Sequence, residues 1–113
     1  MEMMDILKMA SKLKNLKNIK GSCENYIFYE GRSFQCGDYI RLQRKRDEKL
    51  LSFSGQCCKC CLVATDYALE KYNVEKRIVD ISEMKQFFGE NMISARKDCF
   101  ELPILLIKKT IGE

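Results

Sequence analysis

The sequence predicts an α+β fold: an N-terminal helix, a three-stranded antiparallel sheet, then helices packed on one face of that sheet. Three observations predict it. Residues 4–19 carry Ile6, Met9, Ala10, Leu13 and Leu16 at helical spacing, with Lys8, Lys12, Lys14 and Lys17 mostly away from them. Strand-like runs are confined to residues 26–54, and helical patterns fill the remainder. Strands grouped first and helices afterwards place the helices together against the sheet.

The elements follow in order. Gly21 and Ser22 end the first helical pattern. Residues 26–29 are aromatic and β-branched, with Gly31 as the breaker after them. Residues 39–46 place Ile40 and Leu42 on one strand face, and residues 49–54 do the same with Leu51 and Phe53. Asp47 and Glu48 supply the turn of an antiparallel hairpin between these two runs. Gly55 and Gln56 mark the exit from the third strand. A helix then spans about 58–72, carrying Cys61, Leu62, Thr65, Ala68, Leu69 and Tyr72 at helical period, and Asn73 fits its end. A short helix over 82–88 takes Ser82 as N-cap and Gly89 as its stop. A last helix spans about 98–111, with Pro103 in its first turn or so, where proline costs least.

With 113 residues, 46% of them hydrophobic and 32% charged, the chain suits one domain, residues 1–113. Residues 1–22 form its N-terminal amphipathic helix and 23–113 its core. The apolar run over 104–107 is far too short to span a bilayer. The N-terminus lacks the apolar core of a secretory signal, so a cytoplasmic location and no membrane partner are the expectation. A net charge of +4 does not demand nucleic acid, and none is expected as a partner.

The chain has no histidine, which excludes a Cys–His or Ser–His enzyme built from its own residues. No enzymatic activity is expected, and any zinc or iron site must use sulfur and carboxylate oxygen. Seven cysteines make such a site the leading expectation: Cys23, Cys36, Cys57, Cys58, Cys60, Cys61 and Cys99. An odd number without an export signal does not read as a disulfide framework.

Three places concentrate the chemistry. Cys57-Cys58-Lys59-Cys60-Cys61 holds two overlapping C-x-x-C pairs where a strand turns into a helix. That spacing serves redox dithiols, zinc sites and cluster sites alike, and helix-end amides with Lys59 favour thiolate there. Cys61 shares the apolar helical face and so packs inward, while Cys58 at the helix start is free to ligate. Cys57 or Cys60 is an alternative ligand. In Cys36-Gly37-Asp38, a thiol and a carboxylate flank a glycine that clears space beside them, although an ordinary capped turn reads the same way. Lys97-Asp98-Cys99 sets a third thiol at a helix start, where Asp98 serves as the cap.

In that order these motifs resemble the NifU/IscU/SufU family of iron–sulfur cluster assembly scaffolds over residues 24–110. Cys36-Gly37-Asp38-Tyr39-Ile40-Arg41-Leu42 is similar to the family's Cys-Gly-Asp strand. Phe53-Ser54-Gly55-Gln56-Cys57-Cys58 is similar to its Phe-x-Gly-x-Gly-Cys junction, with Cys57 in place of the second glycine. Ala95-Arg96-Lys97-Asp98-Cys99 is similar to the approach to its third cysteine, with Asp98 where histidine or lysine is common. The resemblance implies that Cys36, Asp38, Cys58 and Cys99 bind a transient iron–sulfur cluster, [2Fe-2S] by expectation, or a zinc ion. It implies a cysteine desulfurase as sulfur donor, apo-proteins as recipients and a persulfide acceptor; that acceptor is expected at Cys99, whose thiolate a helix start and Lys97 favour, with Cys36 as the runner-up. The Leu-Pro-Pro-Val-Lys segment that recruits a dedicated Hsp70 is absent; Met92-Ile93-Ser94-Ala95-Arg96 lies there instead. Two other readings stay open: a sulfur-transfer protein of the SufE type that builds no cluster, and a zinc-stabilised interaction domain.

Overall fold

A computed structural model describes residues 1–18, 24–33 and 37–112. Cys23 and Cys36 lie outside the described residues. The element order is α1 (Met3–Ala10), β1 (Tyr26–Arg32), β2 (Tyr39–Lys45), β3 (Ser52–Gln56), α2 (Lys59–Glu75), α3 (Ile81–Phe88), α4 (Glu90–Ala95) and α5 (Lys97–Thr110). The strands form one antiparallel sheet in the order β1-β2-β3, with Tyr29 opposite Leu42 and Leu42 opposite Phe53. The α+β order read from the sequence therefore holds. Among the described residues, no helix is long and apolar enough to cross a membrane.

Ile40, Leu42 and Phe53 are fully buried on the inner sheet face, where α2 and α5 cover the strands. Behind them, Leu69, Phe88, Phe100 and Ile107 complete the core, which Ile6 of α1 joins. Gly31 does not break β1. It sits inside the strand opposite Ile40, and a Cβ there would lie 3.1 Å from Leu102 and from Leu106. The missing side chain lets α5 settle onto the sheet.

The first helix is shorter than its periodicity predicts. It stops at Ala10, and residues 13–18 leave it as a bent, non-helical segment that bridges β3 at Leu16. Asp66 of α2 explains the stop: its carboxylate accepts the backbone N–H of Lys14 (3.0 Å) and Asn15 (2.7 Å). The segment then bonds to β3, Phe53 N–H to Asn15 O at 2.9 Å and Lys17 N–H to Phe53 O at 2.7 Å. Backbone groups satisfied by a neighbour gain little from continuing a helix.

Other details of the elements also differ from the sequence reading. The third strand begins at Ser52 and includes Gly55 and Gln56, which pair with Ile40 and Tyr39. Helix α2 runs through Asn73 to Glu75 and ends on Lys76, in the left-handed region at φ 57°. The Asn73 amide is spent on the entry to β3, accepting from Leu51 N–H and donating to Leu51 O, both at 2.9 Å. Asp80, not Ser82, caps α3, accepting the Glu83 N–H at 2.8 Å. Pro103 lies in the second turn of α5, beyond the position where proline costs least, and cannot donate to the Cys99 carbonyl one turn back. The helix α4 over Glu90–Ala95 has no counterpart among the predicted elements.

Candidate metal centre

Three chain segments meet at the end of the sheet where β2 begins and β3 finishes. The β1–β2 connection is closed at its base by Ser33 N–H to Asp38 O (2.9 Å) and Gly37 N–H to Ser33 O (3.0 Å). Gly37 takes φ +67°, a conformation that suits glycine, and so turns the 2% exposed Asp38 inward. From the β3–α2 junction comes Cys58, the N-cap of α2, in extended conformation. Its sulfur accepts the Cys61 N–H at 3.4 Å, occupying the capping place that an oxygen usually takes. From the first turn of α5 comes Cys99, fully buried.

These side chains form one cluster. Asp38 Oδ2 lies 3.2 Å from Cys99 Sγ and 3.7 Å from Cys58 Sγ, and the two sulfurs are 3.4 Å apart. The other carboxylate oxygen, Oδ1, accepts the Cys58 backbone N–H at 2.9 Å. That bond ties Asp38, just after the Gly37 turn, to the start of α2, and no short-range pattern announces it.

The donor set fits a metal ion. All three ligating atoms lie within 4.8 Å of one another. A tetrahedral zinc with sulfurs at about 2.3 Å and an oxygen at about 2.0 Å separates sulfur from sulfur by roughly 3.8 Å and sulfur from oxygen by roughly 3.5 Å. The cluster's edges of 3.4, 3.2 and 3.7 Å each differ from these by less than about half an ångström.

No protein-family model matches the chain, and no curated protein matches it.

Of the predicted ligands, the fold brings Asp38, Cys58 and Cys99 together. Cys36 lies outside the described residues, next in the chain to Gly37. Cys61 is fully buried, as its place on the apolar face of α2 leads one to expect. Its thiol is held well above the usual thiol range, first by a hydrogen bond with Cys57, then by burial, then by the charges of Cys57, Asp38 and Cys99. Cys57 is half-buried beside it. Cys60 is buried on another side of the helix, its sulfur 4.0 Å from Met92 Sδ, and is not part of the cluster.

Cys99 differs from the favoured thiolate that its helix-start position suggested. Burial, then hydrogen bonds with Asp38 and Cys58, push its thiol well above the ordinary range. Lys97 does not help it: its ammonium pairs with Glu101 at 3.5 Å, out in solvent. Nor does Asp98 cap α5, whose N-cap Arg96 has no side-chain capping bond. A metal ion binding at Cys99 has to displace that proton, because the ligand form is the thiolate.

Proposed function

We propose that this chain is an iron–sulfur cluster assembly scaffold of the NifU/IscU/SufU type. The observation that supports the reading most is the convergence of Asp38, Cys58 and Cys99 from segments 20 and 41 residues apart. Two thiolates and a carboxylate suit iron or zinc. A lone carboxylate is a labile ligand, which serves a protein that must release its cargo. Cys36, beside Gly37, is the proposed fourth ligand.

On this reading the cargo is a [2Fe-2S] cluster, assembled from iron and the sulfur that a cysteine desulfurase delivers, in the reducing cytoplasm. Recipient apo-proteins take it onward; nucleic acid has no part, and neither does a dedicated Hsp70. Cys99 is the proposed persulfide acceptor, with Asp38 Oδ2, 3.2 Å away, taking its proton. Because Cys99 is fully buried, sulfur reaches it only when the site opens.

The test is anaerobic reconstitution with iron, cysteine and a desulfurase, followed by metal and acid-labile sulfide analysis and by mass mapping of persulfide. A scaffold binds iron and sulfide in equal amounts, and each of Cys36→Ser, Cys58→Ser and Cys99→Ser loses both. Persulfide without iron identifies a sulfur-transfer protein instead. Zinc retained throughout, with neither iron nor sulfide bound, leaves a zinc-stabilised interaction domain.

A further inference from the structure

We infer that Cys58 and Cys99 form an oxidative modification site: a disulfide between them that excludes metal and cluster from the centre. Their sulfurs already touch at 3.4 Å. A disulfide needs about 2.05 Å, so each sulfur has to move by only roughly 0.7 Å. The two cysteines stand at the starts of different helices, Cys58 as the N-cap of α2 and Cys99 in the first turn of α5.

Exposure assigns the order of events. Cys58 is half-buried and Cys99 fully buried, so an oxidant from solvent meets Cys58 first. With a hydroperoxide as oxidant, the Cys58 sulfur attacks the terminal peroxide oxygen and the O–O bond breaks. The products are a sulfenic acid on Cys58 and an alkoxide that becomes the alcohol on taking up the Cys58 proton. The Cys99 sulfur then attacks the Cys58 sulfur; its proton passes to Asp38 Oδ2 at 3.2 Å and on to the departing hydroxide, which leaves as water. Two thiols lose two electrons, and the peroxide gains them as alcohol and water. The second step outruns further oxidation of the sulfenic acid because its partner is already in contact.

The disulfide removes two of the three clustered donors and leaves only Asp38. Metal binding and disulfide formation are then mutually exclusive, and bound metal protects the pair. The inference concerns the centre on which the proposed function rests, but the crosslink itself forms in metal-free protein and is read without any cluster.

The experiment treats reduced, chelator-stripped full-length protein with limiting hydrogen peroxide, alkylates it at acid pH and maps the peptides by mass spectrometry. The expected product is the Cys58–Cys99 crosslink. It should be absent in Cys58→Ser and Cys99→Ser, retained in Cys60→Ser, and blocked by prior loading with Zn2+. Oxidised protein should bind no Co2+, and reductant should restore binding. A crosslink that maps instead to Cys36–Cys99, Cys58–Cys61 or Cys57–Cys61 overturns the inference. So does a Cys58 that proceeds to sulfinic acid with no crosslink. The mapping is done on the unmutated chain, so misfolding of a variant does not decide it. A mapped crosslink in a chain that assembles no cluster leaves the inference standing and removes the scaffold reading; the converse result does the opposite.

Discussion

Replacing Asp38 separates its two roles, because its two oxygens do different work. Oδ1 accepts the Cys58 N–H at 2.9 Å, and Oδ2 faces both thiols. In Asp38→Ala that backbone N–H, part-buried at the start of α2, loses its partner. A hydrogen bond to a charged acceptor contributes about 1.5–3 kcal/mol. Removing the carboxylate also relieves the cost of burying it, so the lower half of that range applies, about 2 kcal/mol. For a domain slightly above 100 residues, this corresponds to a fall in melting temperature of about 8 °C. Asp38→Asn keeps an acceptor oxygen at the Oδ1 position and should lose no more than about 1 kcal/mol. Both variants lose the carboxylate ligand, and each should bind zinc at least ~10-fold more weakly. The assay is urea unfolding followed by circular dichroism, in chelator and reductant, paired with a competitive zinc titration. An Asp38→Ala variant with the same urea midpoint as the unmodified chain would refute the argument. So would an Asp38→Asn variant that falls as far as Asp38→Ala.

Other perturbations follow from the same contacts. Gly55→Ala would place a Cβ 2.3 Å from the Tyr39 carbonyl oxygen, so β3 must shift; a loss of about 1–3 kcal/mol, as for overpacked cores, with weakened metal binding next door, is expected by urea unfolding and zinc titration. Asp66→Ala removes the acceptor of two backbone N–H groups; amide exchange at Lys14 and Asn15 should accelerate, with a loss of about 2 kcal/mol or less. Cys61 and Cys99 hold their protons more tightly in the fold than in the unfolded chain. Unfolding free energy of the metal-free chain should therefore be full below about pH 8.5, the ordinary thiol value, and fall as pH rises beyond it. Zinc affinity should rise with pH as well, since binding expels the Cys99 proton; a flat profile for both quantities would contradict this. Phe88→Ala, in a fully buried ring cluster with Phe100, should cost about 3–5 kcal/mol by the same unfolding assay.

The strands, the long helix that follows Cys58 and the last helix were legible in sequence because each depends on local periodicity. Ile40 and Leu42 alternate with polar neighbours, and Cys61, Thr65, Ala68 and Leu69 recur at a helical period, whatever lies elsewhere in the chain. The α+β order came from that level, whereas the ligand set Cys36, Asp38, Cys58 and Cys99 is what the family resemblance implies. Residues 11–18 show where it runs out. Leu13 and Leu16 continue the apolar period of α1, yet the helix stops, because Asp66, more than 50 positions away, takes the amides. The centre obeys the same physics. A motif names Asp38, Cys58 and Cys99, but only packing sets Asp38 against the Cys58 amide and the Cys99 sulfur, 20 and 61 residues off. Burial of Cys99 likewise arises from the meeting of α5 with α2 and the sheet, so its firmly held proton could not be read from a helix-start pattern. Local sequence determines which donors are present; their distances and protonation depend on contacts between distant segments, and those belong to the tertiary structure.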